Sequence, residues 1–564
     1  MHCPDTTPRR SLYFDYTVYP AYTADVGVPA ARRSAVVIVG GGPIGLVHSL
    51  YLASFGIASI IVEAEQQVSE GSRAIVFTRR SLEILQQVGI AQRVTEAGLE
   101  WCSGNSYYRE QRVFRMESIR DEDDRFAPMT NLQQPCLEQL LVDAATEHPL
   151  IEMRWGNKVS QIRQQSDHAC LTLETPAGSY ELEAQWVIAA DGARSALRSL
   201  LGLKLEGAAY EGKFVIADIR TQLDLPTERQ AFFDPPWNRG NTVLMHREPK
   251  DIWRIDYQLP SHETVEQALA PDSLRTRIDA QLRLMGVEDP QWELDWSSVY
   301  SARALTLPSY VHNRVIFSGD AAHLLPIFGV RGANTGFQDS NCLCWKLAMV
   351  IKGLASKKLL DSYDQERVAA AWEIIAEAGK STRFMAPQTP GQRLLRDAVL
   401  SLSLSQEFVR PLYHWRTSKP HDYRDSPLNS QADDDSLFRT GPGNGSPLLN
   451  IRFGADDYLF DHLGAGFHLL YFTDEPAVPE TVIAEVEAIR KEGIPIQIIA
   501  IGVQSGVKGA QLSLPDAEGR IRAKYGMGAG GGYLARPDQH TCARWLDLGR
   551  ADIHGAVNCA LARH

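Results

Sequence analysis

No two cysteines in this 564-residue chain are spaced as C-x-x-C; the eight, Cys3, Cys102, Cys136, Cys170, Cys342, Cys344, Cys542 and Cys559, are scattered. Metal knots and redox dithiols need close pairs, so neither is expected, and buried thiols in a reducing, cytoplasmic setting are. No stretch approaches the roughly 18 to 20 successive apolar residues that cross a bilayer. The N-terminal segment, interrupted by Asp15 and Pro20, lacks the apolar core of a signal peptide. Positive charge is short as well: 57 Lys and Arg against 69 Asp and Glu leave a net charge of -12, which disfavours a nucleic-acid partner. Nothing repeats internally, and the length predicts two or three domains.

What is present begins with glycine. The apolar, β-branched run 35–39 ends in Gly40-Gly41-Gly42-Pro43-Ile44-Gly45, followed by a small-residue helix over 46–55 and a second strand over 59–62 ending at Glu63. Gly40, Gly42 and Gly45 fit the G-x-G-x-x-G fingerprint of a dinucleotide-binding βαβ unit. The first glycine permits the tight turn, the second lets backbone approach a pyrophosphate, and the third lets helix and strand pack closely. The helix N-terminus then offers unpaired N–H groups to the phosphates, and Glu63 can accept hydrogen bonds from a ribose. The fingerprint alone does not separate NAD from FAD.

Further along, a buried strand over 186–190 closes on Asp191-Gly192, and a strand over 314–317 runs into Ser318-Gly319-Asp320 before a long helix over 334–352. Between about 210 and 300 the pattern alternates: Trp253, Ile255, Tyr257 and Leu259 fall on one side, Arg254, Asp256 and Gln258 on the other. That is the signature of an antiparallel sheet with one face on a core or pocket. Four parts are expected: an N-terminal arm over 1–34, a nucleotide-binding domain over 35–416 with the antiparallel sheet interleaved mainly at 210–300, a Ser-, Asp- and Pro-rich linker over 417–446, and a small α/β domain over 447–564.

These motifs together resemble the class A flavoprotein monooxygenases, the aromatic hydroxylases related to p-hydroxybenzoate and phenol hydroxylase. Three carry the resemblance, in order, over roughly residues 35 to 370: the glycine fingerprint, Asp191-Gly192-Ala193-Arg194-Ser195, and Gly319-Asp320-Ala321-Ala322-His323 followed by Pro326, Gly332, Asn334 and Trp345-Lys346-Leu347. Gly71-Ser72-Arg73-Ala74 resembles the family's arginine loop, and Gln134-Pro135-Cys136-Leu137-Glu138 its Q-P-x-x-E helix start. The resemblance implies a Rossmann-like FAD-binding domain, non-covalent FAD, and NADPH or NADH as co-substrate. It implies FAD contacts at Gly40, Gly42, Gly45, Glu63, Arg73, Gln134, Asp191, Gly319, Asp320, Pro326, Gly332 and Asn334. It further implies that a phenolic or related aromatic substrate is hydroxylated with molecular oxygen through a flavin C4a-hydroperoxide.

Where relatives carry two prolines and G-G-Q-G, this chain has Pro326-Ile327 and Gly329-Val330-Arg331-Gly332, so Arg331 adds a cation near the flavin, open to an acidic substrate or a neighbouring carboxylate. Phe233, Trp237 and Trp253 are read as pocket lining, and His246 and Tyr257 as candidate phenol bases outside any family motif; the base stays unassigned. The C-terminal segment resembles the thioredoxin-like domain of phenol-hydroxylase-type members, and without C-x-x-C it suits packing or a homodimer interface. A flavin epoxidase, a Baeyer–Villiger-type oxygenase, a dehydrogenase, or a flavin-fold binding protein without chemistry are the competing readings. The W-x-W-x-I-P segment of flavoprotein halogenases is missing.

Overall fold

The strand β1, Ser34–Val39, lies in the middle of a parallel sheet, which explains its unbroken apolar run: residues 36 to 39 are buried on both faces. The chain is described here from a computed structural model covering residues 1–24, 33–260, 262–326, 328–413, 420–430, 437–502 and 506–563. Parts of the expected arm (25–32) and linker (417–419 and 431–436), and Ile327, lie outside the described residues.

β1 pairs in parallel with β2 (Ser59–Val62) on one side and with strand Gly178–Ala189 on the other. Gly178–Ala189 in turn pairs in parallel with Val315–Phe317. The carboxyl ends of these strands deliver Gly40, Glu63, Asp191 and Gly319 to one edge of the sheet, where α/β folds collect their ligands. Helix α1, Pro43–Ser54, follows β1 and packs against the helix Gly332–Ile351.

A second, eight-stranded sheet runs in the order His323–Leu324, Glu293–Thr306, Glu206–Arg220, Ile252–Gln258, Thr242–Glu248, Arg229–Phe233, Ser103–Tyr108, Gln111–Glu117. The last two strands come from far upstream and join through a parallel pairing of Ser103–Tyr108 with Arg229–Phe233, a non-local contact that sequence periodicity does not reveal. The register fixes two faces. Val215, Ala217, Ile219, Val243, Met245, Trp253, Ile255 and Tyr257 share one, and helix Pro271–Leu284 covers it with Leu274, Ile278 and Leu282. Phe214, Ile216, Asp218, Leu244, His246, Arg254 and Asp256 share the other, which meets the parallel-sheet domain.

The C-terminal region forms a five-stranded sheet in the order Leu512–Pro515, Ile496–Gly502, Phe467–Thr473, Gly532–Ala535, Thr541–Trp545, with the last two strands antiparallel. Helices Glu480–Lys491 and Ile553–Ala560 cover one face, whose core is continuous with that of the parallel-sheet domain.

Candidate functional site

The glycine turn is built as its residue types require. Gly40 has φ +110°, and a Cβ there would lie 2.4 Å from the Ala190 carbonyl oxygen; a Cβ on Gly45 would lie 2.0 Å from the Gly40 oxygen. Around Gly42 there is open space. α1 starts at Pro43 with no side-chain cap and no acidic residue in its first turn, so its leading N–H groups are left to a ligand. Glu63 accepts from the Gly41 amide (2.6 Å) and the Glu65 amide (2.9 Å), fixing the carboxylate beside the turn. Burial holds its carboxyl above the ordinary range.

Gly41, Gly42 and Glu63 open onto a cavity of about 420 Å³ whose other walls include Ser69, Glu70, Arg73, Gln134, Glu138 and Trp296. The arginine loop is tied down from two sides. Gln134 donates its backbone N–H to Ser72 Oγ (2.8 Å) and accepts at its side-chain oxygen from the Ala74 amide (3.1 Å), while Glu138 accepts from the Ser69 amide (2.6 Å). From the antiparallel sheet, Arg254 donates to the carbonyls of Ser72 and Arg73. Arg73 itself is exposed and lines the cavity.

Asp191 caps the short helix Ala196–Leu200 through the Leu197 amide (3.1 Å), and its second oxygen is buried without a partner. Asp320 is exposed toward solvent and has no hydrogen-bond partner among the described residues, although its neighbours are thoroughly engaged. Asp339 takes the Gly319 amide (3.0 Å), His323 Nε2 (2.7 Å) and Arg367 Nε (2.7 Å), and thereby fixes the turn that presents Asp320. Gly332 opens the helix Gly332–Ile351, again uncapped by a side chain and without acid in its first turn. Pro326 is buried just ahead of it. Gly329 and Val330 both have positive φ, +97° and +54°, the second unusual for a β-branched residue, and Val330 packs on the cluster of Ile75, Val76, Trp101 and Met129. Asn334 is saturated within the protein: it accepts from the Thr78 amide (2.9 Å) and Ser81 Oγ (2.5 Å) and donates to the carbonyls of Val76 and Val330. It shapes the loop and has no side-chain bond left for a ligand.

Two uncapped helix starts, a glycine turn with room above it, and unpartnered carboxylate oxygens at two strand ends are what a dinucleotide carrying hydroxyls and a diphosphate needs. The match to the FAD binding domain family over residues 33–378 settles which one. The chain belongs to the FAD binding domain family. FAD is its cofactor. Over 530 residues, 91% of this chain and 92% of the relative, it is 26% identical to 3-(3-hydroxy-phenyl)propionate/3-hydroxycinnamic acid hydroxylase of Escherichia coli O139:H28 (strain E24377A / ETEC). Its fold is shared with the flavin-dependent monooxygenase PieE (TM-score 0.78, 22% identity, 95% of this chain and 100% of that one). It is likewise shared with aklavinone-11 hydroxylase (TM-score 0.74, 24% identity, the same coverage).

Within this FAD-binding chain the expected substrate side needs correction. Trp253 and Tyr257 sit on the far face of the antiparallel sheet, under helix Pro271–Leu284, and Trp237 joins them there, its indole N–H on Gln281 (2.9 Å) and its ring edge-on to Tyr257. None of the three reaches the side that faces the cofactor domain. The more apolar face of the strand is the one covered by a helix, and the polar face is turned toward the parallel-sheet domain. Phe233 is on that near face but packs edge-on against Phe384. His246 is there too, with Nδ1 buried and unpartnered. Burial, with Arg229 and Arg254 beside it, pushes the imidazole well below its ordinary value, so it is a neutral hydrogen-bonding group and a poor base. Arg331 is buried at the start of Gly332–Ile351, its Nε donating to the Phe328 carbonyl (3.4 Å).

Sequence reasoning missed the groups that do line the near face. Asp256 is buried there without a hydrogen-bond partner among the described residues; burial dominates, Arg254 and Arg229 oppose it, and its carboxyl is pushed up to about 7. Arg254 grips Asp218 with two 2.8 Å bonds, while Glu248, 3.5 Å from Arg254, is fully buried and held well above its ordinary value by burial. Tyr300 stacks on Phe214, and Phe214 meets Phe328 of the post-Asp320 loop. The available signal was the alternation of charge at Arg254 and Asp256 inside an otherwise apolar strand, since buried charges need a reason.

Proposed function

We propose that this FAD-dependent enzyme hydroxylates a phenolic compound bearing an acid group, with NADPH or NADH as electron source and molecular oxygen as the second substrate. The observation that carries the reading is the polar face of the antiparallel sheet turned toward the cofactor domain, with Asp256 unpartnered upon it. When bound, FAD supplies the redox chemistry that joins the reduced nicotinamide to oxygen.

The chain's own residues do the rest. Asp256 accepts the phenolic proton, which makes the ring electron-rich; a carboxylate near neutrality is well matched to that transfer. Arg229, buried on the same face and lowered to about 9, keeps its charge at neutral pH and favours an anionic substituent. The hydroxylase relative acts, by its name, on phenylpropionate and cinnamic acid compounds, which carry such a group. Phe214, Phe328 and Tyr300 exclude water from the ring. The region 447–564, a βαβ unit followed by a further parallel strand, two antiparallel strands and a helix, is read as thioredoxin-like and as a packing element, and the cellular setting as cytoplasmic.

The test is NADPH and NADH consumption by the FAD-loaded chain against a panel of phenols with and without carboxylate side chains. Stimulation by the phenolic acids, accompanied by a product heavier by one oxygen, supports the reading. Equal turnover of ring-free alcohols without oxygen uptake would favour a dehydrogenase instead.

A further inference from the structure

Arg9 belongs to no motif, precedes the FAD domain by more than twenty residues, and yet lines the cofactor cavity together with Gly41, Gly42, Glu63 and Arg73. The arm that brings it there is laid along one loop. His2 Nε2 lies 2.7 Å from the Ala64 carbonyl, the Arg9 amide donates to Gln67 (3.0 Å), and Gln67 donates back to the Thr7 carbonyl (2.8 Å). The Tyr16 hydroxyl donates to the Ser69 carbonyl (3.1 Å) and accepts from the Gly71 amide (3.3 Å). Tyr19 takes the Gln66 carbonyl and stacks on Trp155 with centroids 4.5 Å apart. On the other flank Ser11 donates to Asp295 (2.8 Å) and Lys250 to the Tyr13 carbonyl (2.7 Å), so the antiparallel sheet holds the arm as well. Loop 64–71 is thus clamped between arm and sheet, Gly71 lying so close to the Trp296 indole that a Cβ would meet it at 2.2 Å.

The charges of the cavity make the position of Arg9 meaningful. Four carboxylates line it, Glu63, Glu65, Glu70 and Glu138, against two guanidiniums, Arg73 and Arg9. A diphosphate entering such a lining needs both cations. The Arg9 guanidinium donates to the Val68 carbonyl (2.5 Å) and lies 3.8 Å from Glu65, which orients it and leaves further N–H donors of its fork for an anion.

We propose that the N-terminal arm is a retaining wall of the FAD site, with Arg9 binding the adenosine–diphosphate half of the cofactor. The arm is pinned by these hydrogen bonds and by the packing of Tyr16, Phe14 and Tyr19 on the core, and FAD leaves when the segment carrying Arg9 lifts. The proposal rests on FAD occupying this cavity, and FMN, which lacks the AMP half, separates the two ideas.

The experiment uses the full chain freed of flavin, titrated with FAD and with FMN and followed by flavin fluorescence, with dissociation measured by chase. Arg9→Ala weakens FAD by about tenfold, the worth of one charge-assisted contact, and leaves FMN affinity and the melting temperature of the apoprotein unchanged. Arg9→Lys falls between, keeping the charge without the fork. Tyr16→Phe speeds FAD release several-fold, and Arg33→Ala, which removes an exposed pair with Asp167, changes nothing. Unchanged FAD affinity and release in Arg9→Ala, or equal weakening of FAD and FMN, overturns the proposal. A wild-type chain that binds no FAD overturns the cofactor reading with it.

Discussion

Asp256, the proposed base, is a single carboxyl whose burial costs stability. Burial raises it to about 7 in the folded chain, against about 3.9 for an unfolded aspartate. The folded state therefore holds a proton that the unfolded state has lost, and stability falls as pH rises from about 4 through 7. Asp256→Asn is expected to melt higher than the wild type at pH 8, by on the order of 1 kcal/mol or more, with the advantage fading toward pH 4. The same substitution should remove a limb of the pH–rate profile: wild-type kcat/KM rises through about pH 7 as the carboxylate forms, and the variant stays flat and at least a hundredfold lower, an expectation on the order of general-base catalysis. A variant that keeps the limb would assign the base elsewhere. This residue was readable only as one polar position in an alternating strand. Which side of the strand faces the FAD-binding domain depends on a helix, Pro271–Leu284, whose docking leaves no mark in the strand itself.

At the scale of elements, the βαβ turn is the part most legible from residue order, because its requirements are local. Gly40 needs a positive φ, Gly45 needs the absence of a side chain, and Glu63 follows at the end of the next strand. Gly45→Ala places a Cβ within 2.0 Å of the Gly40 oxygen and forces α1 away from β1. The expected outcome is a folded but colourless protein with FAD affinity reduced at least a hundredfold, measured by fluorescence titration; retention of flavin would mean the helix shifts without disturbing its N-terminus. Asn334, by contrast, sits inside a recognisable motif yet turns its amide to Thr78, Ser81, Val76 and Val330. Motif membership did not reveal these bonds, since three of the four partners, Val76, Thr78 and Ser81, lie some 250 residues earlier and only Val330 is local.

Across the whole molecule, the joint between the FAD domain and the C-terminal sheet is a buried ionic network. Glu366 binds Lys346 (2.6 Å), Arg536 (2.6 Å) and Ser426 (2.6 Å); Arg536 also binds Asp538 (2.6 Å), and Trp345 donates to Asp538 (3.0 Å). Cys342 approaches the same carboxylates, but Lys346 and Arg536 already neutralise them. Removing one partner leaves a charge buried alone, so Glu366→Gln should cost roughly 3–5 kcal/mol and lower the melting temperature of the whole chain in one transition; a separate early transition would mean that the C-terminal sheet unfolds independently. Lys346 was visible as part of a family motif, while Arg536 and Asp538 carried no signal, because charges in an α/β segment ordinarily sit on its surface. The central claim, that this assembly inserts oxygen into an aromatic ring, is tested most directly by turnover under heavy-isotope dioxygen with product mass spectrometry. One labelled oxygen in a hydroxylated ring product is the expected result, and a product whose new oxygen comes from water, or one oxidised without gaining oxygen, would contradict the account.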